Sequence, residues 1–84
     1  MPEFKVFPNP VQNNAFTIQA AALQNISAKI TLYSLNGQRV FQDNIEANDY
    51  GLLLVEPMQQ ISAGQYILKI EYANKSFATQ ILIK

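Results

Sequence analysis

Apolar and polar residues alternate along most of this chain in short runs, and Asn, Gly and Pro separate the runs. A period of two puts every second side chain on one face of an extended strand, so such runs read as β-strands with one covered face. The first strand is expected over Phe4 to Phe7. It should stop at Pro8-Asn9-Pro10, where two fixed φ angles and two missing N–H donors end a ladder. The second, Ala15 to Ala20, places Phe16, Ile18 and Ala20 on one face. The third, Ala28 to Leu35, turns Ala28, Ile30 and Leu32 inward and Lys29, Thr31 and Tyr33 outward.

Asn36-Gly37 follows at once. Both residues tolerate positive φ, so a two-residue type I′ hairpin is predicted, with a fourth strand returning from Gln38 to about Ile45. After the polar Glu46-Ala47-Asn48-Asp49, a fifth strand runs from Tyr50 to Val55. Its unbroken apolar stretch implies partial cover on both faces, and Pro57 closes it. In the link from Met58 to Ala63, Ile61 is the expected core anchor. Gly64 opens the sixth strand, Gln65 to Tyr72, with Tyr66, Leu68, Ile70 and Tyr72 opposite Ile67, Lys69 and Glu71. Ala73-Asn74-Lys75 turns the chain into the seventh, Ser76 to Ile83, which aligns Phe77, Thr79, Ile81 and Ile83. The one helix-friendly stretch, Gln19 to Gln24, is too short to hold a helix alone. The expected fold is all-β: a seven-stranded antiparallel immunoglobulin-like β-sandwich, with a small barrel as the alternative.

Length leaves room for one domain only, since the chain has 84 residues. A domain of this size buries about 60% of its unfolded surface, and with no cysteine it must be held by packing alone. The apolar share, 49% with five Phe and four Tyr, is enough for that. Residues 1–5 read as a leader plus the start of the first strand, with Glu3-Phe4 resembling a cloning scar, and 6–84 as the single domain of a longer protein.

Six basic residues balance six acidic ones, and they are scattered singly. Nucleic acid and anionic membranes require a concentrated basic patch, so neither partner is expected. Direct membrane insertion is not expected either, because the longest apolar run, Leu52 to Val55, is far below the roughly 18 residues of a helical span.

Histidine and cysteine are both missing, which removes the commonest general base, the usual zinc ligands and the thiolate nucleophile. Ser27, Ser34, Ser62 and Ser76 lack a histidine to activate them. Gly37, Gly51 and Gly64 stand too far apart to cradle a phosphate. Asp43, Asn44, Glu46, Asn48 and Asp49 follow no calcium-loop spacing and read as a solvated acidic loop. No enzyme activity, metal or cofactor is expected. Tyr33, on the outward face, is a candidate for stacking on a sugar ring, whereas Tyr66 and Tyr72 read as core residues with hydroxyls reaching the edge.

Three features occur in a fixed order: Val6-Phe7-Pro8-Asn9-Pro10 near the start, Ile30 to Val40 around Asn36-Gly37, and Ile61-Ser62-Ala63-Gly64-Gln65-Tyr66 ahead of a terminal Gln80-Ile81-Leu82-Ile83-Lys84. Together they resemble the C-terminal sorting domain, type A, of the type IX (Por) secretion system of Bacteroidetes. That resemblance implies a transport label joined to an upstream secreted cargo. It implies folding in the periplasm, recognition by the outer-membrane translocon, removal by a sortase-like protease, and a final place at the cell surface or outside the cell. The residues it marks are Pro8, Asn9, Pro10, Gly37, Gly64, Tyr66 and the terminal Ile81, Leu82, Ile83 and Lys84. Gln80 departs from it, since many relatives carry lysine there. The terminal strand, if it lies at a sheet edge, offers unpaired backbone groups to a receptor. The alternative is a carbohydrate-binding or spacer module of a secreted polysaccharide-degrading enzyme, with Tyr33 as its contact.

Overall fold

The alternating runs become seven strands in a computed structural model, which describes residues 4–12 and 15–84. They are β1 (Lys5–Gln12), β2 (Ala15–Gln19), β3 (Ser27–Ser34), β4 (Arg39–Glu46), β5 (Leu52–Val55), β6 (Gly64–Tyr72) and β7 (Lys75–Ile83). Among the described residues the helical piece is a single 3₁₀ turn, Ala21–Leu23, where the short helix-friendly stretch lies. Met1, Pro2 and Glu3, for which a leader is expected, lie outside the described residues.

The strands form two antiparallel layers, β1-β2-β5 and β4-β3-β6-β7, packed as an immunoglobulin-like sandwich. Strand β1 belongs to both. Lys5 to Phe7 pair with β2, Val11 pairs in parallel with Ile83 of β7, and Gln12 is back opposite Ala15 of β2. The expected stop at Pro8-Asn9-Pro10 is therefore a correction: the strand runs on to Gln12. Pro8 and Pro10 lie in the irregular stretch between Phe7 and Gln12, where the β2 register shifts and β1 also reaches β7, and a residue without an N–H donor is tolerated at such a break in the ladder.

Inward positions match the alternation. Phe16, Ile18, Ile30, Leu32, Leu53, Val55, Leu68 and Ile70 are fully or almost fully buried, Ala20, Ala28, Ile61, Tyr66, Tyr72, Ile81 and Ile83 join them, and Leu23 of the 3₁₀ turn and Ala47 of the loop after β4 add two core residues from outside the strands. Each large side chain so buried contributes about 1.5–3 kcal/mol, most of it offset by chain entropy.

Two burial assignments change. Thr31 is completely buried, because β3 is flanked by β4 and β6 and the Gln42 amide donates to its hydroxyl at 3.4 Å. Leu54 is 53% exposed, because β5 is a sheet edge whose outer face has no covering layer. Strand β5 is also shorter than expected. Tyr50 and Gly51 belong to a turn built on Asn48, whose Oδ1 accepts from the Tyr50 and Leu52 amides at 2.9 and 3.0 Å.

The Asn36-Gly37 hairpin has a different turn from the one expected. At Asn36-Gly37 the Gly37 amide donates to the Ser34 carbonyl (2.9 Å), the Ser34 amide donates to Gln38 (2.8 Å), and only Gly37 has positive φ, at 90°. This is a three-residue loop, a tight turn followed by a glycine bulge, in place of the type I′ turn. The Ser34 hydroxyl donates to Asn36 Oδ1, and both side chains accept from the Gln38 amide, which holds the three-residue form.

The type I′ geometry occurs instead at Ala73-Asn74, with φ of 48° and 64° and Tyr72 paired to Lys75. Alanine pays about 1–2 kcal/mol for the left-handed region. Replacing Ala73→Asn together with Asn74→Gly should stabilise the domain by about 1 kcal/mol, raising its melting temperature by about 4–8 °C. A thermal melt in which the double variant gains nothing would contradict this turn assignment.

Candidate recognition surface

The register places the sequence motifs relative to one another. Ser34, at the head of the Asn36-Gly37 hairpin, pairs with Tyr66, and Tyr66 pairs with Ile81. Gly64 pairs with Ile83, whose other neighbour is Val11, one residue after Pro8-Asn9-Pro10. All three motifs thus meet at one end of the four-stranded sheet, although they are dispersed along the chain. The side chains of Pro8, Asn9 and Pro10 lie outside the described residues.

Gly64 opens β6, and Tyr66 two residues on is buried with its hydroxyl donating to the Ser62 carbonyl at 2.6 Å. A tyrosine at the start of this strand, tied to backbone a few residues upstream, is the corner device of immunoglobulin-like sandwiches. It pins the loop before β6, and Ile61 beside it fills the core as expected. Tyr72 is a core residue too, but its hydroxyl is buried with no hydrogen-bond partner among the described residues, so it does not reach the edge. Its ring centroid lies 6.2 Å from that of Phe4 and 5.9 Å from that of Phe77, where the chain enters β1.

The terminal residues divide by face. Ile81 and Ile83 point into the core, while Leu82 (39% exposed) and Lys84 point outward. Gln80 donates its amide to Gln65 Oε1 at 2.7 Å across the β6–β7 ladder. A neutral side chain there is absorbed into the sheet surface.

Strand β7 is bonded to β6 along its whole length, and on its other side β1 meets it only at Ile83. From Lys75 to Gln80 that edge has no strand partner among the described residues.

The chemistry elsewhere is sparse. An open groove of about 500 Å³ lies between β4 and the link after β5, lined by Arg39, Phe41, Asp43, Glu56, Met58 and Ile61. Among the described residues no three carboxylate, histidine or cysteine groups gather closely enough to hold a metal ion. Asp43 accepts from the Asn44 amide at 2.9 Å, and Asn48 spends its side chain on the β5 turn. Tyr33, the sugar-stacking candidate, is half-buried near the end of β3, and Tyr50 is the most exposed tyrosine. No helix among the described residues is long and apolar enough to cross a membrane.

A small sandwich whose distinctive residues converge on one end of a sheet has the build of a recognition module. The chain matches the secretion system C-terminal sorting domain over residues 5–84, and it belongs to that family, the sorting domains of type IX secretion. No curated protein matches the chain. Membership indicates a type IX sorting signal of the kind found in Bacteroidetes, interaction with the type IX secretion system, and secretion to the cell surface or beyond. Sorting domains of this family are in general non-catalytic.

Proposed function

We propose that residues 6–84 form a C-terminal sorting signal without catalytic activity, joined to an upstream cargo and read as a folded surface. The domain folds in the periplasm, the outer-membrane type IX translocon binds it, and a sortase-like protease cuts on its cargo side before the cargo reaches the cell surface. No cofactor takes part. The observation that carries this reading is the family match over residues 5–84, combined with a register that draws the marked motifs to one end of the fold. Recognition at that end falls to what faces solvent, Leu82 and Lys84 above all, while Gly37, Gly64 and Tyr66 shape the end and Ile81 and Ile83 anchor it from within. Pro8, Asn9 and Pro10 set the course of β1 past the terminal strand.

The test is a reporter carrying a signal peptide, fused to this domain or ending before it, in a cell with a working type IX system. Surface or medium reporter should depend on the domain, with the shortened fusion retained in the periplasm. Equal export of the two fusions would reject the proposal.

A further inference from the structure

We propose that the exposed edge of β7, from Lys75 to Gln80, is where the secretion machinery adds a strand of its own. This deepens the sorting-signal reading and rests on it.

A two-residue turn closes on a hydrogen-bonded pair, here Tyr72 and Lys75, and the β6–β7 register then continues without a shift to Gly64 and Ile83. Odd-numbered residues of β7 therefore exchange bonds with β6. Ser76, Ala78, Gln80 and Leu82 direct their N–H and C=O groups away from it. The parallel pairing of Val11 beside Ile83 occupies the far end of that row, and Ser76, Ala78 and Gln80 are left open.

Open edges invite foreign strands, and proteins guard them with charge, proline, bulges or brevity. The other edges of this sandwich are guarded. Strand β4 carries Arg39, Asp43 and Glu46 and a register shift, β5 has four residues, and the paired part of β1 runs from Lys5 into Pro8 and Pro10. The β7 edge has none of these devices: Ser76 to Ile83 contains no charge, no proline and no irregularity. Lysines stand only at its two limits, Lys75 and Lys84, both exposed. The partner that fits is an extended segment, uncharged and free of proline along its length, with a carboxylate at the end that meets Lys75. Backbone pairing also suits a label that serves unrelated cargoes, because it asks little of particular side chains.

The test uses the domain-bearing reporter fusion in the type IX-competent cell. Ala78→Pro removes one outward N–H and places a ring where the added strand would lie, yet takes no bond from β6. With the domain still folded in a melt, export should fall about tenfold or more, while Ala78→Ser exports normally. As a second readout that needs no proline, the cysteine-free chain accepts a single Ala78→Cys or Asn44→Cys carrying a thiol-reactive crosslinker. The first should capture a type IX component during export, and the second, on the β4 edge, should not. Unchanged export by folded Ala78→Pro, or equal capture from both edges, would overturn the proposal. So would loss of a β7-mediated dimer with export intact, which assigns the edge to a second copy of this chain. Domain-independent export would instead strike at the sorting reading itself, and the fusion ending before the domain separates that failure from this one.

Discussion

Gly51→Ala should cost the domain about 2–5 kcal/mol, a large share of the stability on the order of 5–10 kcal/mol expected for its size. Gly51 has φ of +75°, which alone penalises alanine by about 1–2 kcal/mol. An added Cβ would also overlap the Ala20 carbonyl oxygen and lie 2.9 Å from its carbon. Those atoms are backbone, and Ala20 is buried and donates its amide to the Gly51 carbonyl at 3.0 Å, so the contact has no flexible side chain to give way. Relief means breaking that bond and shifting the end of β2 against the core, which adds about 1–3 kcal/mol. Gly37→Ala is the control, since it also has positive φ (+90°) but nothing lies within 4 Å of its missing Cβ. Urea denaturation should place Gly51→Ala about 1–3 kcal/mol below Gly37→Ala. Equal midpoints would show that the Ala20–Gly51 approach does not constrain the fold.

Deleting Ile81 to Lys84 should abolish export of a fused cargo, but chiefly by unfolding the domain. Ile81 and Ile83 are core residues, and truncating a buried isoleucine costs about 2–5 kcal/mol each. The deletion also removes the residue that joins β7 to β1, so the sandwich loses the seam between its layers. Its effect therefore does not by itself reveal recognition. The paired substitution Leu82→Glu with Lys84→Glu leaves both isoleucines in place and reverses the character of the outward surface. Its melting temperature should stay within a few degrees of the parent, while export drops sharply. Full export by the folded double variant would remove Leu82 and Lys84 from the recognition surface.

Period-two alternation was enough to locate all seven strands and most of the core, because burial of one face leaves a direct trace in residue type. Other features depend on neighbours that a strand cannot see in its own sequence. Thr31 looked outward by pattern, yet the flanking strands close over it. Leu54 looked covered within an apolar run, yet β5 proved to be an edge. The type I′ turn expected at Asn36-Gly37 is not formed because Asn-Gly suits both a two-residue and a three-residue loop, and the Ser34 and Asn36 side chains decide between them. The strand-ending reading of Pro8-Asn9-Pro10 failed for a related reason: proline forbids a donor but permits a strand to run on through a break in its ladder. The marked motifs were visible in the sequence, whereas their meeting at one end is a property of register and appears only in the fold. The long uncharged run from Ser76 to Ile83 was also in view, but its meaning required knowing which strands lie at edges.

Gly51→Ala offers the most direct test of the claim that the message is a folded surface, because it alters no outward side chain of the terminal motifs. The measurement is surface reporter from fusions carrying the parent domain, Gly51→Ala or Gly37→Ala, with full-length fusion in the periplasm quantified alongside. The prediction is normal export for the parent and Gly37→Ala, and periplasmic retention for Gly51→Ala in proportion to its unfolded fraction. Export of Gly51→Ala at the parental level, with the purified domain unfolded at the same temperature, would mean that a linear segment carries the signal and would contradict the account.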